Sequence, residues 1–427
     1  ALRRLDPDVE IVVVERGLAG GECSYYACIP TKTLLRSGDV VAAARISPGA
    51  AEAVTGALDA ERVFWWRDQV TTGRDDSWHA DWLAEQGAEL VRGEARVLRK
   101  GVVAVDEREI EYENLVVATG SSPAVPPVDG LDEVDFWTNR EAVWASSVPE
   151  SVVVLGGGPV GVELTQFFHR MGARATIVEP STHLLARVDA EAGELLHERF
   201  EEEGIDVRLE TRVEQVEAVD IGVRVHLSSR DPIEAERLLI ATGRRPNVEG
   251  LGLEHLDVEL TKTGITVDER MRAGDGVWAI GDPSGVALLT HVGKYQARVA
   301  AANIAGEDYS ADYRAIPAAV FTDPQVATVG TTSGDGLVTA THRIEGGRLS
   351  TYERPKRPGL LKLAADPGNR VVVGAVAVGP EAGEWIGQLT LAVRAEIPID
   401  VLLDTIQPYP TFSEAIFSAL LALEDSL

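Results

Sequence analysis

Both cysteines of this 427-residue chain lie in one stretch, Gly20-Gly21-Glu22-Cys23-Ser24-Tyr25-Tyr26-Ala27-Cys28-Ile29-Pro30-Thr31-Lys32. In a regular helix, positions five apart lie about 140° around the axis and about 7.5 Å along it. A disulfide brings its Cα atoms to about 5.5–6 Å. A bridge between these two therefore requires the chain to bend at Cys23, with Cys28 in or near the first turn of a helix. A thiol at a helix N-terminus feels the positive end of the dipole, and its pKa falls from about 8.5 toward neutrality. Lys32, one turn after Cys28 on the same face, adds a positive charge. These features fit a redox-active pair. A structural disulfide or two buried thiols are the alternatives, but so short a loop would contribute only about 2 kcal/mol through chain entropy.

A second set of chemistry-bearing residues follows Ser151–Leu155, a continuous apolar run that reads as a buried strand. It leads into Gly156-Gly157-Gly158-Pro159-Val160-Gly161, which satisfies G-x-G-x-x-G. An amphipathic helix to Met171 and a strand from Ala175 to Val178 come next, and Glu179 stands 18 residues beyond the last glycine. In that order the pattern is a dinucleotide fingerprint. Gly156, Gly158, Val160 and Gly161 let backbone N–H groups meet a pyrophosphate, and Glu179 accepts the ribose 2′-OH of NAD and repels a 2′-phosphate. NAD(H) is expected over NADP(H); Arg174 is the nearest group that would favour the phosphate.

Val9 to Val14 reads as a strand buried on both faces and ends at Glu15, an acid placed to take the ribose hydroxyls of another adenosine. The glycine loop of such a unit lies roughly 20 residues before its acid, and only fourteen residues precede Glu15. A first strand and Gly-rich turn are therefore expected upstream, and the chain as given is expected to bind FAD poorly without them.

Helix is expected over Thr33 to Ala44 and over Glu61 to Glu89, where Trp65, Trp66, Trp78 and Trp82 have the spacing of packing residues. Glu89 to Glu111 reads as a β-meander. Leu115 to Gly120 and Leu238 to Gly243 are echoes, each an apolar run ending in Ala-Thr-Gly. Val277 to Asp282 is a third strand ending in an acid. Helix is expected over Leu289 to Ile304, and from Ile316 the texture turns α+β, with helices over Glu381 to Ala395, Asp400 to Leu403 and Thr411 to Leu423.

The net charge of −28 and pI near 4.7 argue against binding a phosphate backbone. No apolar run approaches the ~20 residues of a membrane span. Two cysteines make no secreted disulfide scaffold, so a cytoplasmic protein is expected. Neither a metal site nor a nucleic-acid or membrane partner is expected.

Together these elements resemble the FAD-dependent pyridine nucleotide–disulfide oxidoreductases, the class of dihydrolipoamide dehydrogenase, glutathione reductase and mercuric reductase. The residues that carry the likeness are the Cys23–Cys28 stretch, the two Ala-Thr-Gly turns, Ile280-Gly281-Asp282 with Leu289-Thr290-His291, and Phe321-Thr322-Asp323-Pro324 with Val326 to Gly330. The resemblance implies an α/β fold with two Rossmann-like domains, for FAD and NAD(P), and a C-terminal α+β dimerisation domain. Its boundaries are 1–147 (FAD), 148–271 (NAD(P)), 272–315 (FAD, continued) and 316–427 (interface), in a homodimer.

The resemblance makes Cys28 the thiolate beside the flavin and Cys23 the outward thiol that meets substrate. It pairs Lys32, beside flavin N5, with Glu163. It gives Asp282 the ribityl chain and Glu15 the FAD ribose, places Gly21, Thr119, Gly120, Gly281, Leu289, Thr290 and His291 along the FAD, and places Gly243 along the NAD. The usual His-Pro-Thr-x-x-Glu reads here as Tyr409-Pro410-Thr411-Phe412-Ser413-Glu414, so a phenol with pKa about 10 stands where an imidazole acid/base, oriented by the glutamate, is usual. The stretch Gly330 to Ser350 is Gly-rich and looks shortened.

The expected activity is NAD(P)H-dependent reduction of a small disulfide through FAD and the Cys23–Cys28 pair. The alternatives are a quinone or dye reductase that uses the flavin directly, and a flavin-free paralogue.

Overall fold

A computed structural model describes residues 1–345, 348 and 359–427. The chain forms two compact units. One comprises residues 1–30, 66–124 and 243–312; the other comprises residues 31–65, 125–242 and 313–427.

In the first unit the strand Ile11–Glu15 runs parallel to Ala88–Arg92 as a two-stranded sheet. It is not buried on both faces as expected: Val12 is exposed and its neighbours are half-buried, because among the described residues the strand has a single partner. The meander is present as Ala95–Arg99, Val102–Val105 and Arg108–Glu111. Leu115–Val117 lies parallel to Val277–Ala279. The segments that follow the two Ala-Thr-Gly echoes, Ser121–Pro123 and Arg244–Pro246, pair antiparallel, bringing the two turns together. Valines from these strands form a small core with Leu253, Leu256, Ile265 and Ala279.

The stretch expected as one long helix, Glu61 to Glu89, is two helices, Ala60–Val70 and Ser77–Glu85, followed by a strand from Ala88. Thr72, Gly73 and Arg74 adopt positive φ and break it. Trp65, Trp66, Trp78 and Trp82 are exposed rather than packed, because the buried stripe of the first helix falls on Val63, Phe64 and Arg67 instead.

In the second unit the strands Asp206–Arg208, Arg174–Val178, Ser151–Leu155 and Arg237–Ile240 form a parallel sheet in that order. Every residue of Ser151–Leu155 is buried, as a strand covered on both faces must be. The helices Pro159–Arg170 and Ala190–Glu203 pack into the same core as Val152, Val154 and Ile177. A five-stranded antiparallel sheet runs in the order Pro317–Val320, Gln325–Gly330, Val371–Gly379, Gly359–Asp366, Val338–Ile344. Its alternate residues share a core with the helices Ala382–Arg394 and Glu414–Glu424. Of Gly330 to Ser350, residues Gly346, Gly347, Leu349 and Ser350 lie outside the described residues. No helix among the described residues is long and apolar enough to cross a membrane.

Candidate active site

The cysteine stretch folds into two helical pieces. Gly20 and Gly21 have φ of +109° and +70°, which only glycine adopts freely. At Gly20 a Cβ would also lie 2.7 Å from the His79 ring. A five-residue helix, Gly21–Tyr25, carries Cys23, and the chain then bends at Tyr26. Cys28 is the first residue of the 19-residue helix Cys28–Ile46. Cys28 thus opens a helix as expected, but the bend falls at Tyr26 rather than at Cys23, because Cys23 itself sits within the short helix.

The two cysteines approach closely enough for their side chains to hydrogen-bond. The Cys28 Sγ lies 3.6 Å from the Thr290 Oγ1. The hydrogen bond with Cys28, reinforced by burial, raises the pKa of Cys23 well above that of an ordinary thiol; Thr290 and Lys294 oppose this only in part.

Around the pair the same unit assembles most of the residues expected to meet FAD. Glu15 ends its strand with Oε1 accepting from the Gly17 N–H at 2.7 Å. Asp282 follows Gly281, whose φ is +69° and whose N–H donates to Gln296 Oε1 at 2.6 Å. Thr119 Oγ1 donates to the Asn247 carbonyl at 2.5 Å, and the Asn247 amide returns a bond to the Thr119 carbonyl at 3.0 Å. Gly21 and Gly120 border open space, with nothing within 4 Å of an added Cβ, as does Gly243, which the resemblance places along the NAD but which belongs to this unit. Thr290 and His291 open the helix Thr290–Ile304 behind Leu289, and no side chain caps its first turn. These residues fit FAD: two strand-end carboxylates for hydroxyl groups, glycines open to close approach, and uncapped N–H groups for an electron-rich ring edge.

Three residues here were not singled out in the sequence. The Ser121 hydroxyl donates to Asp282 Oδ2 at 2.5 Å. Arg244 donates through Nε to that hydroxyl and through Nη2 to the Ser121 carbonyl, both at 2.7 Å. The same guanidinium pairs with Glu22 at 3.4 Å. The available signal was position: Ser121 and Arg244 each directly follow one of the Ala-Thr-Gly turns.

In the second unit the three glycines of the fingerprint divide the work. Gly156 has φ +107°, and a Cβ there would lie 2.5 Å from the Ala241 carbonyl oxygen. A Cβ on Gly161 would lie 1.9 Å from the Gly156 oxygen, so it sets the approach of helix to strand. Gly158 has nothing within 4 Å, and no side chain caps the helix that Pro159 and Val160 begin. That is the open side toward which a pyrophosphate fits. Glu179 is buried beside the loop, with one carboxylate oxygen accepting from the Gly157 N–H at 2.6 Å and the other from the Ser181 N–H at 2.8 Å. Both oxygens keep lone pairs for a ribose.

Lys32 and Glu163 form the expected ion pair, Nζ to Oε2, at 2.6 Å. Glu163 is buried and its Oε1 accepts from the Phe321 N–H at 2.8 Å, while the ammonium lies 4.9 Å from the Phe321 ring centroid. Farther along the same helix, Gln166 accepts from the Asp323 N–H and donates to its carbonyl. Arg170 binds Asp39, Glu203 and Asp323 at 2.7, 2.7 and 2.8 Å. One helix face thus holds the Lys32 helix and the Phe321–Asp323 turn at three levels. Tyr409 is 75% exposed. Glu414 opens the last helix, and its Oε2 is buried with no hydrogen-bond partner among the described residues.

Residues 1–304 match the family described as pyridine nucleotide-disulphide oxidoreductase, and residues 316–420 match its dimerisation domain. The chain is 32% identical to dihydrolipoyl dehydrogenase 2 of Haloarcula marismortui, over 99% of this chain and 93% of that protein. It is 33% identical to the mercuric reductase of Shigella flexneri, over 97% of this chain and 77% of that protein. The fold superposes on LpdA from Mycobacterium tuberculosis with a TM-score of 0.86 at 24% identity, covering 98% of this chain and 95% of the other. The chain therefore belongs to the pyridine nucleotide-disulphide oxidoreductases, enzymes that use FAD and NAD(P)H.

Proposed function

We propose that this protein uses NADH to reduce a small disulfide by way of the Cys23–Cys28 dithiol, working as a homodimer. The observation that carries this reading is the cysteine pair itself, two side chains that hydrogen-bond across the bend between the helices Gly21–Tyr25 and Cys28–Ile46. Bound FAD supplies the two-electron relay between nicotinamide and the cysteines.

The chain's own residues do the rest. Gly156, Gly158, Val160 and Gly161 seat the pyrophosphate of NADH, Glu179 accepts its ribose hydroxyls, and Gly243 gives it room. Glu15, Gly21, Thr119, Gly120, Gly281, Asp282, Leu289, Thr290 and His291 line the FAD. Lys32, held by Glu163, offers a positive charge where negative charge builds on reduction. Cys23 attacks the substrate disulfide as a thiolate and forms a mixed disulfide with one substrate sulfur, while the other leaves as a thiol. Cys28 then attacks Cys23, releasing the second thiol and closing the Cys23–Cys28 bridge. Tyr409, from the second subunit of the dimer and oriented by Glu414, protonates a leaving thiolate. Exposure of Tyr409 and of Ile406, Phe417 and Leu421 near it supports their burial against a second subunit.

The phenol at position 409 also favours a second reading, direct reduction of quinones or dyes. Anaerobic titration of the flavin-loaded protein with NADH separates the two. A long-wavelength absorption band from a thiolate against the flavin, with Cys23→Ser lowering the ratio of disulfide to quinone turnover by about a thousandfold or more, is the expected result. Flavin bleaching without that band, and an unchanged ratio in Cys23→Ser, would make the cysteines bystanders.

A further inference from the structure

A second helix, Thr290–Ile304, meets the cysteine pair through the residue that opens it. The Thr290 Oγ1 lies 3.6 Å from the Cys28 Sγ and hydrogen-bonds Cys23 as well, so the first turn of this helix is fixed against both sulfurs. Lys294 stands four residues on, one turn along the same helix face. It is exposed and forms no ion pair among the described residues. The face that meets the thiols therefore carries a positive charge that no carboxylate cancels.

A cation there answers a particular need. The hydrogen bond with Cys28 and burial hold Cys23 protonated, whereas attack on a disulfide requires the thiolate. Tyr409 cannot supply the missing charge, because a phenol is neutral or anionic and never cationic. The groups that act on the Cys23 thiol are Cys28 from the following helix, which opposes ionisation, and Thr290 and Lys294 from the helix Thr290–Ile304, which favour it. Of these, Lys294 alone carries a full positive charge.

We propose that Lys294 is the cation that readies Cys23 for attack, a positioning residue that acts by stabilising the thiolate. This rests on the assignment of Cys23 as the thiol that meets substrate. Lys294→Gln removes the charge, and the thiolate becomes scarcer at any pH below the thiol pKa. Lys294→Glu reverses the charge, and the loss deepens. Lys294→Arg keeps it. A unit charge acting through partly hydrated protein changes the thiolate population about threefold to tenfold. An exposed side chain can be exchanged in this way with little effect on folding.

The experiment is the pH profile of iodoacetamide alkylation in the flavin-loaded full chain on a Cys28→Ser background. The chain has two cysteines, so Cys23 is then the one thiol to report. Expected at neutral pH is an alkylation rate about threefold to tenfold lower in Lys294→Gln, lower still in Lys294→Glu, and within about twofold of the parent in Lys294→Arg. The profiles should be displaced along the pH axis and share one alkaline plateau. A Lys294→Gln profile that overlays the parent, a Lys294→Arg profile that falls with Lys294→Gln, or a change confined to the plateau overturns the proposal. The last two are what the loss of a packing contact would give. Alkylation needs neither NADH nor a substrate disulfide, so failure here is distinct from failure of the reductase reading, which is an unchanged ratio of disulfide to quinone turnover in Cys23→Ser.

Discussion

The nicotinamide-side sheet and the sheets around the dithiol solve the same local problem with different materials. In each, a strand ends in a glutamate whose carboxylate accepts the N–H two residues on: Glu179 from Ser181, and Glu15 from Gly17. The first belongs to a four-stranded parallel sheet whose central strand is buried throughout, and its Gly156 and Gly161 are packed against backbone. The second belongs to a two-stranded sheet with half-exposed residues, beside glycines that face open space. Where apolar packing fixes the backbone, Gly156 and Gly161 are held by close contact with backbone. Where the strands are short, polar ties such as Asp282–Ser121–Arg244–Glu22 and Thr119–Asn247 hold the geometry. The lesson is that a packed site is sensitive to volume and a tied site to charge.

The contrast is broken most severely at glycines. Gly161→Val puts a Cβ 1.9 Å from a backbone oxygen that cannot yield, and a loss of more than about 4 kcal/mol is expected, read as a collapsed melting temperature and no response to NADH. Gly120→Ala meets no atom and pays only for its φ of +70°, about 1–2 kcal/mol. Equal losses in the two variants would erase the distinction.

Arg170→Met tests whether charge also matters inside the packed unit. It leaves Asp39, Glu203 and Asp323 without their common cation, at a cost of about 3–5 kcal/mol in denaturant unfolding. The pH dependence follows. Burial pushes the Glu203 carboxyl up, but Arg170, Arg199 and Gln166 pull harder and hold it below its ordinary value. A depressed carboxylate contributes stability above its unfolded pKa of about 4.3, and that contribution is lost as pH falls through the lower folded value. The wild type should therefore lose stability on acidification below about pH 4.3 more steeply than Arg170→Met.

Smaller effects sharpen the assignment of each half. Glu179→Gln should raise the KM for NADH about tenfold, equivalent to about 1.4 kcal/mol, and narrow the preference over NADPH; an unchanged preference would remove Glu179 from cofactor choice. Tyr409→Phe should slow disulfide turnover by up to about tenfold and leave flavin reduction by NADH as it was, measured by stopped-flow. Unchanged turnover would deny the phenol its proton.

The parts legible in the sequence are those written in contiguous residues. G-x-G-x-x-G with its acid 18 residues on, the two Ala-Thr-Gly turns and the helix start at Cys28 are local backbone requirements, whereas the bend between the cysteines falls at Tyr26 rather than at Cys23. The long helix over Glu61 to Glu89 was misread because Thr72 and Arg74 carry no helix-breaking signature, yet adopt positive φ together with Gly73. The tryptophans have the spacing of packing residues and yet are exposed, because aromatic spacing alone does not determine which side of a helix faces a core.

The amino-acid sequence by itself determined the chemistry available: two thiols in a glycine-flanked turn, a nucleotide loop with its acid, and a lysine one turn beyond Cys28. Only the tertiary structure decided the company those groups keep. Lys32 meets Glu163 across 131 residues, and Glu22 meets Arg244 from still farther away. Such pairs leave no mark in a linear pattern, because either charge alone is indistinguishable from a solvated surface residue until folding removes the water between them.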